Sequence, residues 1–131
     1  MTSARRRIAW FIAVGCAAAA VHFSVAVGLV EALGAAPLRA NIVGWLIAFV
    51  VSFAGHRRLT FAAQRAPFAR SAGRFFLVSG AGFAINQASY AALLGWTGLH
   101  YGVALATVLI GVALLTYWLG RHWAFLGSRV R

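Results

Sequence analysis

The sequence predicts an all-α membrane protein, with four transmembrane helices built as two helical hairpins in parallel repeat. Three observations carry this prediction. First, 63% of the 131 residues are hydrophobic and the mean hydropathy is +0.85, more apolar surface than a soluble domain of this size can hide. Second, the apolar residues fall in four runs, 8–33, 38–55, 75–96 and 101–120. Each meets or approaches the length of about 20 residues that crosses roughly 30 Å of hydrocarbon as a helix. Third, the halves repeat: SFAGHRRLTF at 52–61 is matched 64 residues later by TYWLGRHWAF at 116–125. The same ungapped offset pairs Phe11 with Phe75, Val14 with Val78, His22 with Asn86, Leu29 with Leu93, Gly34 with Gly98, Ala40 with Ala104 and Arg57 with Arg121.

Each element follows in order. The first run comes after Arg5, Arg6 and Arg7 and is longer than the roughly 7–15 apolar residues of a signal peptide, so it reads as a retained helix. Gly15, Ala17, Ala18, Ala19 and Ala20 let another helix approach closely. Cys16 is the single cysteine, so it has no disulfide partner in the chain, and its apolar surroundings predict a buried, inert thiol. GAAP at 34–37 supplies the turn of the first hairpin. Glu31 and Arg39 bracket that turn and are expected to pair across it. The second run carries Asn41 and Trp45 in its outer half and leads into Arg57 and Arg58. A basic connection, 62–73, holds Arg65 and Arg70. The third run carries Asn86, Gln87 and Ser89, TGLH at 97–100 closes the second hairpin, and the fourth run leads into Arg121 and His122. Unbroken apolarity opposes a β-barrel, whose strands alternate. One domain, 1–131, thus contains repeat 1 (about 8–61), the connection 62–73 and repeat 2 (about 74–125).

Charge orients the elements. There are twelve arginines, no lysine and one acid, Glu31, for a net charge of +11. All arginines except Arg39 lie in the amino-terminal segment, the stretch 56–74 between the second and third runs, and the carboxy-terminal tail. The positive-inside rule makes these three cytoplasmic and both hairpin turns external. Two spans per repeat give the halves one common orientation, related by an axis along the membrane normal. Arginines at span ends, rather than along a soluble face, exclude nucleic acid as a partner. The chain has no lysine for a phosphate-binding Walker loop, and one acid makes no carboxylate pair. No cofactor or metal is expected, and the chain does not read as an enzyme.

Few polar groups lie within the spans. His22 and its repeat equivalent Asn86 stand near the middle of the first and third runs, with Gln87 beside Asn86. Such groups belong inside the bundle or in a polar cavity. They either bond to one another across helices, for roughly 1 kcal/mol, or line a shared interior site. Trp10, Trp96, Tyr101, Trp118 and Trp123 read as an interfacial belt.

The sequence resembles the GtrA-like family of small four-helix bacterial membrane proteins over about residues 7–125. The resemblance rests on FIAVG at 11–15, FFLVS at 75–79, Ser52-Phe53 with RRLTF at 57–61, and RHWAF at 121–125. It departs from the family pattern at His56 and Gly120, where Asn is frequent, at Ser79, where Gly is common, and at His22, where Asp or Asn is usual. Asn86 keeps the expected type.

The resemblance implies a place in the bacterial cytoplasmic membrane and movement of a polyprenyl-phosphate-linked sugar to the outer leaflet for surface polysaccharide synthesis. Arg57, Arg58, Arg121 and His122 would then meet the phosphate, since the planar guanidinium fork matches two phosphate oxygens. The same arginines also serve as topology anchors. His22, Asn86 and Gln87 would meet the sugar. The expected partners are the lipid-linked sugar, membrane lipid, a glycosyltransferase and further copies of the chain. Two other readings stand beside this one: a membrane scaffold that recruits a glycosyltransferase, and a small multidrug exporter, which the lack of a carboxylate inside the first helix disfavours. A reporter fused after Arg131 is expected to be active only in the cytoplasm; activity outside the cell would refute the topology.

Overall fold

The structure, a computed structural model, describes residues 3–62 and 67–126, with side chains through 116 and at 118. The chain folds as α1 (Ser3–Leu33), α2 (Pro37–Gly55), a π-helical turn (His56–Thr60), α3 (Phe68–Trp96) and α4 (Tyr101–Leu126), with no strand among the described residues. Ser3–Leu33 and Pro37–Thr60 are long and apolar enough to cross a membrane, and α4 is apolar over its described side chains from Tyr101 to Thr116. α3 is 29 residues long, its apolar character diluted by Ser79, Asn86, Gln87 and Ser89. The expected all-α membrane fold of two helical hairpins is the one observed.

The helices run further than the apolar stretches. α1 takes in Arg5, Arg6 and Arg7, and α3 begins at Phe68, so Arg70 is helical rather than part of a connection running to 73. Hydropathy marks only what hydrocarbon covers, whereas Ala and Arg propagate a helix well beyond it. Pro67, at φ −55° and ψ 138°, stands at the start of α3, where a missing N–H costs nothing. Arg65 lies outside the described residues.

The two hairpin turns differ although both contain glycine. Gly34 adopts φ 62°, and its N–H bonds the Val30 carbonyl at 3.0 Å, a left-handed helix cap that glycine adopts without Cβ strain. Pro37 then opens α2 in its first turn. α3 ends instead on Thr97, whose N–H and hydroxyl both bond the Leu93 carbonyl, at 3.1 and 2.6 Å.

Packing is tightest within the first hairpin. α1 buries Val14, Ala18, His22 and Ala26, a row at four-residue spacing, against Ala40, Asn41, Gly44 and Ala48 of α2. Two glycines permit the approach. A Cβ on Gly44 would lie 2.8 Å from both Cδ2 and the carbonyl oxygen of His22, and one on Gly55 would lie 2.7 Å from Cγ1 of Val14. The repeat-equivalent residues on α4 are Val108 and Leu119, and the second hairpin does not close in the same way. Val78, equivalent to Val14, is 73% exposed where Val14 is 7%. The shared core of Ala26, Ala40, Tyr90, Ala104, Leu105 and Val108 sits in the half nearer the two hairpin turns.

Two local expectations are corrected. Cys16 is exposed on the surface of α1, not buried, because the buried row of that helix passes through Val14 and Ala18. Glu31 does not pair with Arg39, which lies on the exposed side of α2. Its carboxylate instead accepts from the Tyr101 hydroxyl, and the Tyr90 hydroxyl donates to the Tyr101 carbonyl at 3.2 Å. The only acid therefore ties α1 to α4 rather than spanning its own turn.

Gly44→Ala is expected to lower the thermal midpoint in detergent, since overpacking costs about 1–3 kcal/mol. Gly111→Ala, where nothing lies within 4 Å of the added methyl, is expected to leave the midpoint unchanged.

Candidate functional site

Three helices meet at one amide. Asn41, fully buried on α2, uses its whole side chain. Its Nδ2 donates to Oδ1 of Asn86 at 2.8 Å and to Oε1 of Gln87 at 2.7 Å. With both N–H groups committed, its Oδ1 is left to accept from Nε2 of His22 at 2.7 Å, which fixes the histidine proton on Nε2. Gln87 extends the chain by donating from Nε2 to the Leu38 carbonyl at 3.0 Å. Interhelical bonds of this kind contribute about 0.6–2 kcal/mol each in a membrane. Among the described residues, no buried side-chain nitrogen or oxygen lacks a partner.

Below this knot, α2 and α3 are joined by rings. Trp45, one turn from Asn41, stacks on Phe83 with centroids 4.5 Å apart and planes 9° apart, and its indole N–H donates to the Ser79 hydroxyl at 2.9 Å. Phe49 meets Phe76 and Phe75 at 5.4 and 5.6 Å, and Phe53 meets Phe75 and Phe68 at 5.7 and 5.4 Å. Arg57 ends the line, its guanidinium 5.3 Å from the centre of the Phe68 ring, within cation–π range. Trp45, Phe49, Phe53 and Arg57 recur every four residues, so they share one face of the helix.

Arg57 and Arg58 belong to the π-helical turn. The Phe61 N–H bonds the His56 carbonyl at 2.8 Å, one residue further back than in an α-helix. The buried His56 ring lies 4.9 Å from Phe11 and 5.8 Å from Phe75, with Nδ1 bonded to the Thr60 hydroxyl at 3.0 Å. These packed partners hold the turn.

The structure thus sorts the sequence-derived residues into two stations. His22, Asn86 and Gln87 come together in the knot. Arg57 and Arg58 lie 16 and 17 residues along the chain from Asn41, about 24 Å away by helical rise. The side chains of Arg121 and His122 lie outside the described residues. Repeat reasoning missed the hub, because the equivalent of Asn41 is Leu105. The available signal was a lone amide in an otherwise apolar span, which by itself demands an interior partner.

A small four-helix membrane protein with a buried amide–imidazole knot and an arginine-tipped aromatic seam is the class these features define. The chain matches the family model for the GtrA/DPMS transmembrane domain over residues 10–125, and it belongs to that family. Comparison with curated proteins and with solved structures gives no match.

Asn41→Leu is expected to destabilise the fold more than Asn86→Leu. The first leaves three neighbours without their shared partner and the second leaves one bond unmade, at about 1–3 kcal/mol for each stranded buried group. Thermal unfolding of the two variants in one detergent checks the order.

Proposed function

We propose that the protein moves a polyprenyl-phosphate-linked monosaccharide across the bacterial cytoplasmic membrane for cell-surface polysaccharide synthesis. The observation that carries this reading is the arrangement of two stations along α2 and its π-helical end: guanidinium groups at that end, the amides of α2 and α3 with the imidazole of α1 at the other, and a half-exposed seam of rings between them. A lipid-linked sugar has the matching parts. Its phosphate suits Arg57 and Arg58, joined in this reading by Arg121 and His122, its sugar hydroxyls suit exchange with the bonds of the knot, and its prenyl chain stays in lipid.

In this reading the arginine-rich ends face the cytoplasm, all four helices cross the membrane, and both hairpin turns face outward. The phosphate is received at the α2 end. The sugar passes along the ring seam, where aromatic faces accept its C–H surfaces, and the knot opens to take the hydroxyls. The protein acts as a carrier and not as an enzyme, and consumption of the sugar by a glycosyltransferase outside drives net movement. Gly15, Ala17, Ala19 and Ala20 on the exposed side of α1 offer a close-packing face for a further copy of the chain.

One observation favours the scaffold reading. The knot satisfies its own hydrogen bonds without a ligand, so it serves equally as a fixed spacer that presents α3 and α4 to a glycosyltransferase.

Proteoliposomes separate the two. Protein alone is expected to move a labelled polyprenyl-phosphate sugar between leaflets, and the double variant Arg57→Ala, Arg58→Ala is expected to slow this about tenfold or more, as for loss of a charge-assisted contact. Absence of movement by well-inserted wild-type protein, with retained binding to a transferase, would establish the scaffold instead.

A further inference from the structure

A pocket of about 310 Å³ opens at the foot of α1, lined among the described residues by Arg6, Ala9, Trp10 and Ala13. Its chemistry is one-sided. Arg6 brings a guanidinium and Trp10 an indole N–H, neither bonded to another described residue, and the two alanines leave a flat apolar wall. The site has donors and no acidic partner, because the only acid of the chain, Glu31, belongs to the opposite end of α1. Both residues are exposed, so their donors face outward, where a phosphate oxygen can take the place of water.

The same pattern recurs. The 64-residue offset carries Arg6 onto Arg70, Ala9 onto Gly73, Trp10 onto Arg74 and Ala13 onto Leu77. Arg70 and Arg74 are exposed one turn apart on α3, again bonded to no described residue, and Leu77 above them is 72% exposed. Both feet therefore combine a donor pair at four-residue spacing with a small or apolar wall rising toward the hydrocarbon. That is the outline of a lipid phosphate with its chain.

We propose that the feet of α1 and α3 are two repeat-related sites for anionic glycerophospholipid, with the phosphodiester held by Arg6 and Trp10 in one and by Arg70 and Arg74 in the other. Charge complementarity selects the occupant: basic pockets at the membrane surface take anionic headgroups, and zwitterionic lipid brings its own cation. The sites are separate from the station at Arg57 and Arg58, and they hold whether or not the protein moves lipid-linked sugar.

The test is lipid retention by purified full-length protein, read by native mass spectrometry with phosphatidylglycerol and phosphatidylcholine offered together. Wild type is expected to retain two phosphatidylglycerol molecules. Arg6→Gln and Arg70→Gln should each weaken one site about fivefold, and the double variant should weaken both. The double Arg6→Lys, Arg70→Lys variant preserves the positive charge that orients the helices; it should show a smaller loss in the same direction, because lysine lacks the planar fork.

The proposal is overturned by unchanged retention in the double Gln variant, equal retention of phosphatidylcholine, equal loss from Arg7→Gln, or displacement of the lipid by inorganic phosphate. Preferential retention of polyprenyl phosphate over phosphatidylglycerol would reassign the pocket to the transported lipid and also overturn it.

Discussion

The Asn41 side chain is the constraint on which the rest of the bundle depends. In lipid, apolar helices gain little from one another that the surrounding chains do not also offer, so packing and polar bonds must decide which helices meet. Asn41 makes that decision for three of them. Its two N–H groups reach α3 and its oxygen faces α1, which sets the spacing and rotation of both against α2. Once that rotation is fixed, Trp45, Phe49 and Phe53 necessarily face α3, because they lie at four-residue intervals below the same point.

Glycine completes what the amide begins. His22 reaches Asn41 only because Gly44 leaves room beside it, and Val14 lies against the α2 end only because Gly55 does the same. The second repeat has Val108 and Leu119 at those places; its helices share the core beside the hairpin turns, and Val78, the counterpart of Val14, is exposed. The chain therefore uses one repeated pattern in two ways: a closed hairpin that holds the knot, and a looser one.

Much of this was legible in the sequence, and the remainder was not for identifiable reasons. Four apolar runs and the offset repeat specify two hairpins because hydrocarbon thickness fixes element length. His22, Asn86 and Gln87 were readable as interior groups because polar atoms facing lipid are costly. Asn41 was harder to place, since the repeat turned attention to matched positions and its counterpart is a leucine. The joining of Glu31 to Tyr101 was hidden because it crosses from the first hairpin to the second, whereas charge pairing along a short turn pointed to Arg39. The helical starts of α1 and α3 were hidden because apolarity records burial in lipid and not hydrogen bonding.

The π-helical turn at His56–Thr60 has a consequence for symmetry. α4 continues as ordinary α-helix through the matching stretch to Leu126, while the end of the first repeat closes one ring on an extra residue. One additional residue in a helix turns everything after it by about 100°. Two endings that pair without a gap in the primary structure, sharing Arg57 with Arg121 and Phe61 with Phe125, thereby differ in backbone geometry. The arginine-bearing end of one repeat is therefore a π-helical corner and that of the other an α-helical one.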